Sequence, residues 1–346
     1  MYKGLKQEKE LWNLFTKSEE YNFYIPDKYD RFCYYLSQYR NIFEPQVSKF
    51  LIQNDYDISY PDDKKFAVCL THDIDILYLP KFTTIFDSYK SLIKGQVKNS
   101  YTLLRYLINK KYSSCWNIKE IIKLEERYNT NSSFYFLVLD KNEIDFNFNI
   151  EDLEPDLKYI IDKGCEVGLH GGFSEYNNLE KIKEKKMRLE KVIDKKVIGF
   201  RNHYLKFKVP DTWEVLCKAG FKYDTTFGYV DCAGFRNGMC HPFKPFNIQT
   251  DREIDIFEIP LIIMDSTLFD YMQLDMAGAW KIIKLLIDTV EKYNGVITIL
   301  WHNTNMVNEK YILYEKILSY CADRNAWCTT CNSIVDWWQH QPNYLG

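Results

Sequence analysis

The 346-residue sequence has no long apolar run, whereas a membrane-spanning helix needs about 18 or more apolar residues. The polar stretch 1–8 has no apolar core of a secretory signal, so we expect a cytoplasmic protein. The net charge is only −3, so the overall charge does not favour nucleic acid or an anionic membrane as a partner. The ten cysteines follow no framework spacing, and Cys328–Cys331 is a C-x-x-C without a second pair, so we expect reduced thiols.

The strand and helix patterns alternate from residue 66 onward, which favours a parallel sheet or a barrel. Buried strands are predicted at 66–70, 133–138, 165–169, 197–200, 257–264 and 296–301. Helices are predicted at 117–128, 153–163, 178–193, 210–218, 275–292 and 308–321, and a last strand–helix unit completes the chain. Residues 1–65 are polar and aromatic with weak helical patches. We expect them to be an N-terminal extension to a main domain at 66–346.

Histidine is scarce, with six residues in the chain, yet five of them lie at predicted strand ends or in one long loop. These five are His72, His170, His203, His241 and His302. If the sheet is a barrel, the strand ends that carry them converge on one face. The pattern therefore predicts a single polar active site at that face.

The segment Thr71–Asp75 directly follows the first strong strand and reads Thr-His-Asp-Ile-Asp. If the extended backbone continues, Asp73 and Asp75 point to the same side, because side chains along a strand alternate. His72 then points away from them, and we expect a buried supporting role for it. Two carboxylates on one face suggest a metal ligand beside a general base.

Metal-assisted hydrolysis needs histidine and carboxylate ligands, a free carboxylate to accept the water proton, and an acid for the leaving group. An arginine beside the free carboxylate would keep it ionised and oriented. One set of strand-end residues contains all of these parts: Asp73, Asp75, His170, Arg201, His203 and His302. The irregular segment 228–253 also carries Arg236 and His241, which we expect to contact substrate, since loops of this length are usually functional.

Four segments in this order resemble the polysaccharide deacetylase family, the NodB-homology carbohydrate esterases. They are Thr71–Asp75, His170–Ser174, Arg201–Tyr204 and Leu300–His302, which match the family patterns T-F-D-D-G, H-[ST]-x-x-[HS], R-x-P-[YF] and L-x-H. The resemblance covers about residues 66–305. It is strongest to a branch with T-H-D-[VI]-D and R-x-H-Y-L motifs, found in bacterial surface-glycan gene sets.

The resemblance implies a distorted (β/α) barrel of about seven parallel strands and a role for each matching residue. It implies Asp73 as base, Asp75 and His170 as metal ligands, Arg201 as partner of the base, Tyr204 as oxyanion donor through its backbone N–H, and His302 as general acid. Asp265 would either orient His302 or be an ordinary turn residue at a strand end. The implied cofactor is a divalent metal, zinc first, with cobalt and nickel as alternatives.

The chain departs from the family pattern at two places. Ser174 stands where the family has its second metal histidine, so the third ligand is His203, Ser174, a water or His241. Ile74 separates the two aspartates that are adjacent in the family, so the roles of Asp73 and Asp75 could be exchanged.

The activity implied by the resemblance is metal-dependent removal of an acetyl group from an N-acetylated sugar in bacterial surface-glycan biosynthesis. We expect the substrate to be a glycan or a lipid-linked or nucleotide-linked sugar precursor. Two alternatives stay open at the level of sequence: an allantoinase-like cyclic-amide hydrolase, and a catalytically silent glycan-binding protein on the same fold. The sequence leaves the oligomeric state open.

Overall fold

The computed structural model describes residues 2–22, 26–54, 56, 58–79, 81–93, 95, 97–108 and 113–341. The strands are β1 (Ala67–Ile74), β2 (Ser133–Leu137), β3 (Glu166–Gly171), β4 (Gly199–Asn202), β5 (Tyr223–Asp224), β6 (Phe246–Asn247), β7 (Arg252–Glu253), β8 (Phe257–Glu258), β9 (Leu261–Met264), β10 (Val296–Leu300) and β11 (Trp327–Thr329). The helices are α1 (Tyr2–Leu5), α2 (Lys9–Thr16), α3 (Glu19–Asn22), α4 (Gln46–Gln53), α5 (Lys81–Ile93), α6 (Val97–Ile108), α7 (Ile118–Glu126), α8 (Glu154–Asp162), α9 (Leu179–Ile193), α10 (Asp211–Lys218), α11 (Met276–Lys292), α12 (Asn308–Asp323) and α13 (Cys331–Trp338).

Nine of these strands form one parallel sheet, in the order β8-β5-β4-β3-β2-β1-β10-β9, with β11 paired to the beginning of β1. The strands β8 and β9 are consecutive in the chain but form the two edges of this order. The sheet is therefore a barrel that stays open between β8 and β9. The predicted distorted (β/α) barrel is confirmed, with nine strands in the described chain rather than about seven.

The central strand β1 is buried along its whole length, as expected for a parallel strand covered on both faces. The apolar pattern predicts its end at residue 70, but the strand continues to Ile74. The continuation forms because Thr71–Ile74 pair in parallel register with Ser133–Phe136 of β2. Consequently, most of the Thr-His-Asp-Ile-Asp motif lies on the strand itself, and only Asp75 lies beyond it.

The predicted helices lie within about two residues of the observed ones because their apolar periodicity is strong. In α9, for example, the Asn178 side chain accepts a hydrogen bond from Lys181 N and caps the helix, while Leu189 and Ile193 are buried. The prediction of one strand at 257–264 is wrong. Pro260 lies between β8 and β9 and has no N–H to donate, so the segment divides into two strands with different partners.

The N-terminal 65 residues contribute helices that the sequence patterns do not predict, chiefly α2 and α4. Leu14 and Phe15 of α2 and Val47 and Leu51 of α4 are buried in the same hydrophobic core as the barrel strands. The domain boundary at residue 65 stays a prediction. Within the described ranges, no helix has the combination of length and hydropathy that crossing a bilayer requires.

Candidate active site

The polar residues predicted at strand ends meet at one cavity of about 390 Å³. The ends of β1, β4, β9 and β10 line this cavity, because the carboxyl ends of parallel strands share one edge of the sheet, and His170 of β3 lies behind Asp75 at 3.2 Å. The cavity wall includes Asp73, Asp75, His203, Tyr204 and His302. These residues therefore share one face of the sheet, and their roles in an active site stay predictions.

Asp75, His170 and His203 form a compact cluster of possible metal donors. Each offers one ligand atom, and these atoms lie within 4.8 Å of one another. The Asp75 Oδ1 atom is 3.2 Å from His170 Nε2 and 3.6 Å from His203 Nδ1. Burial would raise the pKa of Asp75, but the neighbouring His203 and His170 outweigh burial and hold that pKa below its usual range.

In each of the two histidines, one ring nitrogen contacts an outer partner, and the other ring nitrogen faces Asp75 Oδ1. His170 Nδ1 donates to the carbonyl oxygen of Arg201 at 3.0 Å, which leaves Nε2 as a lone-pair donor. His203 Nε2 is 3.4 Å from Asp145 Oδ2, which leaves Nδ1 as the lone-pair donor, 3.1 Å from His170 Nε2.

Metal-ligating histidines usually donate their other N–H to a carbonyl or a carboxylate, and both histidines have such a partner here. In their neutral forms the two histidines direct lone pairs toward the buried Asp75 Oδ1, and a cation between these three atoms, either a proton on one imidazole or a metal ion, relieves their repulsion. The donor set of one carboxylate and two imidazoles therefore fits a divalent metal of the zinc type.

Asp73 lies beside this cluster and faces a buried arginine. Its Oδ1 atom is 3.7 Å from Arg201 Nε, and its Oδ2 atom is 3.7 Å from His170 Nε2. The guanidinium donates to Thr71 Oγ1 at 3.0 Å and packs over the Tyr135 ring. Burial by itself lowers the pKa of Arg201, but the carboxylate of Asp73 more than offsets this, so the arginine stays charged.

His302 and Asp265 form a tight pair on the other side of the cavity. His302 Nδ1 is 2.6 Å from Asp265 Oδ1, and the backbone N–H of His302 donates to Oδ2 at 2.8 Å. Asn305 also donates to Oδ2, so the carboxylate is fixed in place. Burial lowers the pKa of His302, but the charge of Asp265 and this hydrogen bond outweigh it and raise the pKa to about 10. Asp265 therefore orients His302 and is not merely a turn residue.

Tyr204 lies in a tight turn, His203–Leu205, in which its own φ is +60°. Its hydroxyl donates to Asp145 Oδ2 at 2.9 Å, and its carbonyl oxygen accepts from Arg31 Nη1 at 3.0 Å. The ring stacks on Tyr29 with centroids 4.8 Å apart. These contacts hold a left-handed backbone that would otherwise be unfavourable for a tyrosine.

Two predicted substrate contacts are wrong, because the side chains of Arg236 and His241 are buried away from the cavity. Arg236 donates to both carboxylate oxygens of Glu20, at 3.2 and 2.6 Å. His241 is bonded to Ser48 Oγ and to the Tyr293 carbonyl, just before β10 begins, whereas His302 follows its end. His241 therefore lies at the opposite end of the sheet and is no candidate for the third metal ligand.

The remaining protein candidates for the third metal ligand, Ser174 and His203, differ in where the fold places them. Ser174 is exposed in the turn after β3, and the third donor that the fold brings to Asp75 and His170 is His203. His72 points away from the cavity, as expected, and its ring nitrogens lie 2.7 Å from the Trp301 carbonyl oxygen and 2.9 Å from Glu125 Oε1.

The sequence patterns miss Asp145 and Arg31, which both contribute to the site. Asp145 lies in an irregular segment after β2, and it contacts residues that lie 58 and 59 positions further along the chain. Arg31 belongs to the N-terminal segment and lines the cavity. No motif or periodicity marks either residue, since only long-range packing brings them here.

Neither a protein-family model nor a curated protein sequence matches this chain. Solved structures do match. A protein from Mycobacterium smegmatis assigned as a polysaccharide deacetylase is 15% identical, over 81% of this chain and 92% of its own, with a TM-score of 0.56. A family 4 carbohydrate esterase from Streptomyces lividans, in complex with acetate, is 10% identical over 77% and 92%, with a TM-score of 0.40. The first similarity confirms the predicted resemblance at the level of the fold.

Proposed function

We propose that the protein is a metal-dependent hydrolase that removes the acetyl group from an N-acetylated sugar. One observation carries this proposal: the Asp75–His170–His203 donor cluster lies beside the buried Asp73–Arg201 pair at the wall of one cavity. The barrel fold shared with a structure assigned as a polysaccharide deacetylase supports the reaction class. The motif resemblance further supports a precursor of a bacterial surface glycan as the substrate.

Asp75, His170 and His203 would hold the metal, for which zinc is the best fit to a carboxylate and two imidazoles. When bound, such a metal acts as a Lewis acid and lowers the pKa of water to near neutrality. The assignment of Asp75 rather than Asp73 as ligand is supported by their neighbours. Both histidines lie within 3.6 Å of Asp75 Oδ1, whereas Asp73 faces the arginine.

Asp73 is the proposed general base that takes the proton of the attacking water. Arg201, whose guanidinium donates to Thr71 and packs over Tyr135, lies beside this carboxylate with its Nε 3.7 Å from Oδ1 and is the proposed partner of the base. This division of labour accounts for the two aspartates of the motif. Asp73, on the strand, abstracts the proton, and Asp75, one residue beyond the strand, binds metal.

His302 is the proposed general acid for the leaving amine. Asp265 holds the Nδ1–H, so the Nε2–H faces the cavity, and Nε2 is 3.7 Å from Asp75 Oδ2. A raised pKa keeps the ring protonated at neutral pH, as an acid requires. The backbone N–H of Tyr204 is the proposed oxyanion donor, and its left-handed turn sets the direction of this N–H.

The two aspartates provide the sharpest test of this proposal. We expect Asp73→Asn to retain zinc but to lose about 10²–10⁴-fold in turnover, because it removes the base and leaves the ligands. We expect Asp75→Asn to lose zinc itself. Zinc content and acetate release from a panel of N-acetylated sugars measure the two effects. Asp255→Asn, which changes an exposed carboxylate, is the matched control and should behave like the natural sequence.

Three outcomes would contradict parts of the proposal. If Asp73→Asn loses zinc while Asp75→Asn keeps it, the two roles are exchanged. If the purified protein binds no zinc, cobalt or nickel after reconstitution, the enzyme proposal fails. If metal binds but no sugar releases acetate, the sugar assignment fails, and cyclic amides are the next substrates to assay.

A further inference from the structure

The helices α5 and α6, which form a hairpin between β1 and β2, expose an unusual amount of apolar surface. Half of the exposed large apolar side chains in the described part of the chain lie on this hairpin. They are Ile85, Phe86, Tyr89, Leu92, Ile93, Val97, Tyr101 and Leu104, each between 46% and 69% exposed, and we call them the hairpin patch. Monomeric soluble proteins rarely expose so much contiguous apolar surface without a binding function.

Among the described side chains of α5 and α6, the buried ones are small and polar. Ser88 and Ser100 are two of them, and their hydroxyl oxygens are 2.8 Å apart. Among the described elements, α5 and α6 pack extensively only against each other. Small residues between the helices and large apolar residues outside are typical of helices in contact with lipid, whereas a hairpin stable in water has the reverse arrangement.

The hairpin region is strongly basic although the whole chain is acidic. Residues 81–112 contain seven Lys and Arg against one Asp, a net charge of +6, which leaves −9 for the rest of the chain. Two of these cations lie against aromatic rings of the patch. Lys90 Nζ is 4.3 Å from the centre of the Phe86 ring, and the guanidinium carbon of Arg105 is 5.7 Å from that of Tyr101. Basic and aromatic residues on one amphipathic surface are typical of binding to the headgroup region of a bilayer.

We propose that the hairpin of α5 and α6 binds the surface of an anionic lipid bilayer. The helices have 13 and 12 residues, or about 18–20 Å, so they are too short to cross a hydrocarbon core of about 30 Å. They therefore lie in the interface, where the hairpin patch enters the headgroup region and the basic residues meet anionic lipids. The charge of the hairpin favours a bilayer of this kind over a neutral one.

The base of the hairpin is joined to the catalytic end of the barrel. Asn303, the residue after His302, donates to the carbonyl oxygens of Ile76 and Cys115, both at 2.7 Å. Its own carbonyl oxygen accepts from Asn117 at 2.9 Å. These hydrogen bonds tie both ends of the hairpin to the strand end that carries His302. The binding of the hairpin to a bilayer does not depend on the reaction that the cavity performs.

Cosedimentation of the full chain with lipid vesicles tests the proposal and needs neither metal nor substrate. We expect binding to vesicles of phosphatidylglycerol and phosphatidylcholine, weakened by salt, and little binding to phosphatidylcholine alone. The variants Phe86→Ser/Tyr89→Ser/Ile93→Ser and Lys90→Glu/Arg105→Glu should each bind at least about tenfold more weakly. The matched control, Met187→Ser/Ile312→Ser, removes two equally exposed apolar side chains elsewhere and should bind like the natural sequence.

Circular dichroism and urea midpoints, which need no bound metal, show whether each variant is folded. The proposal is overturned if the natural protein does not sediment with the anionic vesicles, or if the control loses as much binding as the hairpin variants. It is also overturned if the natural protein binds no vesicles and is a dimer that the triple variant converts to monomer. In that case the patch is an interface between two copies.

Discussion

At the scale of single residues, His203 shows how one side chain is prepared for a role by its neighbours. One of its nitrogens lies next to Asp75 and His170, and the other lies 3.4 Å from Asp145. Asp145 also accepts the Tyr204 hydroxyl, so one carboxylate orients both the proposed ligand and the adjacent turn. A hydrogen bond from His203, together with one from Tyr204, holds the pKa of Asp145 below its ordinary value although burial opposes the shift, so this carboxylate is ionised at neutral pH.

Removing the charge of Asp145 should weaken metal binding. We expect Asp145→Asn to lower zinc affinity by about 10–100-fold, because His203 would lose the partner that fixes its tautomer and ring orientation. Competition with a chelator measures the affinity directly. Tyr204→Phe is the matched control, since it removes the other hydrogen bond of Asp145 and leaves the His203 contact. Equal zinc affinity in Asp145→Asn and the natural protein would show that Asp145 does not orient His203.

At the scale of elements, the long segment between β5 and β8 holds the N-terminal helices against the barrel. The sequence predicts a loop that contacts substrate, but Phe235, Met239 and Cys240 of this segment are buried in the core. Arg236 pairs there with Glu20 of α3, and both side chains are 2% exposed. The segment therefore acts as a buried connection between the N-terminal helices and the sheet.

Breaking this buried pair should destabilise the fold more than replacing both partners. We expect Arg236→Met to lower the free energy of unfolding by about 3 kcal/mol, because Glu20 would remain buried without its bidentate partner. The double variant Glu20→Gln/Arg236→Met should lose less, since no unpaired charge remains. Urea denaturation measures both values. Lys284→Met, at an exposed i,i+4 pair with Asp288, is the control, and a loss there as large as in Arg236→Met would contradict the role of burial.

At the scale of the whole molecule, the histidines at the two ends of the sheet have pKa values shifted in opposite directions. At the end that carries the cavity, Asp265 raises the pKa of His302 to about 10, although burial opposes the shift. At the other end, burial lowers the pKa of His241 to about 4, although the carbonyls of Asn294 and Tyr293 partly oppose it. The neutral His241 ring donates from Nε2 to those carbonyls and accepts from Ser48 at Nδ1.

The buried neutral His241 should make the stability of the whole fold depend on pH. Its pKa is lower in the folded protein than in the unfolded chain, so the unfolded chain binds more protons between about pH 6.5 and pH 4. The stability is complete above pH 6.5 and is lost as the pH falls, by about 2 kcal/mol between pH 7.5 and pH 5.

Urea midpoints at these two pH values, for the natural protein and for His241→Gln, measure the contribution. We expect the variant to be less stable at pH 7.5 but to lose about 2 kcal/mol less on acidification, because glutamine does not titrate. Identical losses in both proteins would show that His241 is not the group responsible.

The sequence by itself determined the alternation of strands and helices, the central strand and the Thr-His-Asp-Ile-Asp motif at its end. Local periodicity and the order of polar residues after apolar runs predict these features, and both are properties of the chain before it folds. Only the tertiary structure decided that His203 joins Asp75 and His170, that Asp145 supports it, and that Arg236 and His241 lie in the core. The physical reason is distance along the chain. Arg236 pairs with Glu20, which lies 216 positions away in the chain, and no local sequence pattern indicates that partner.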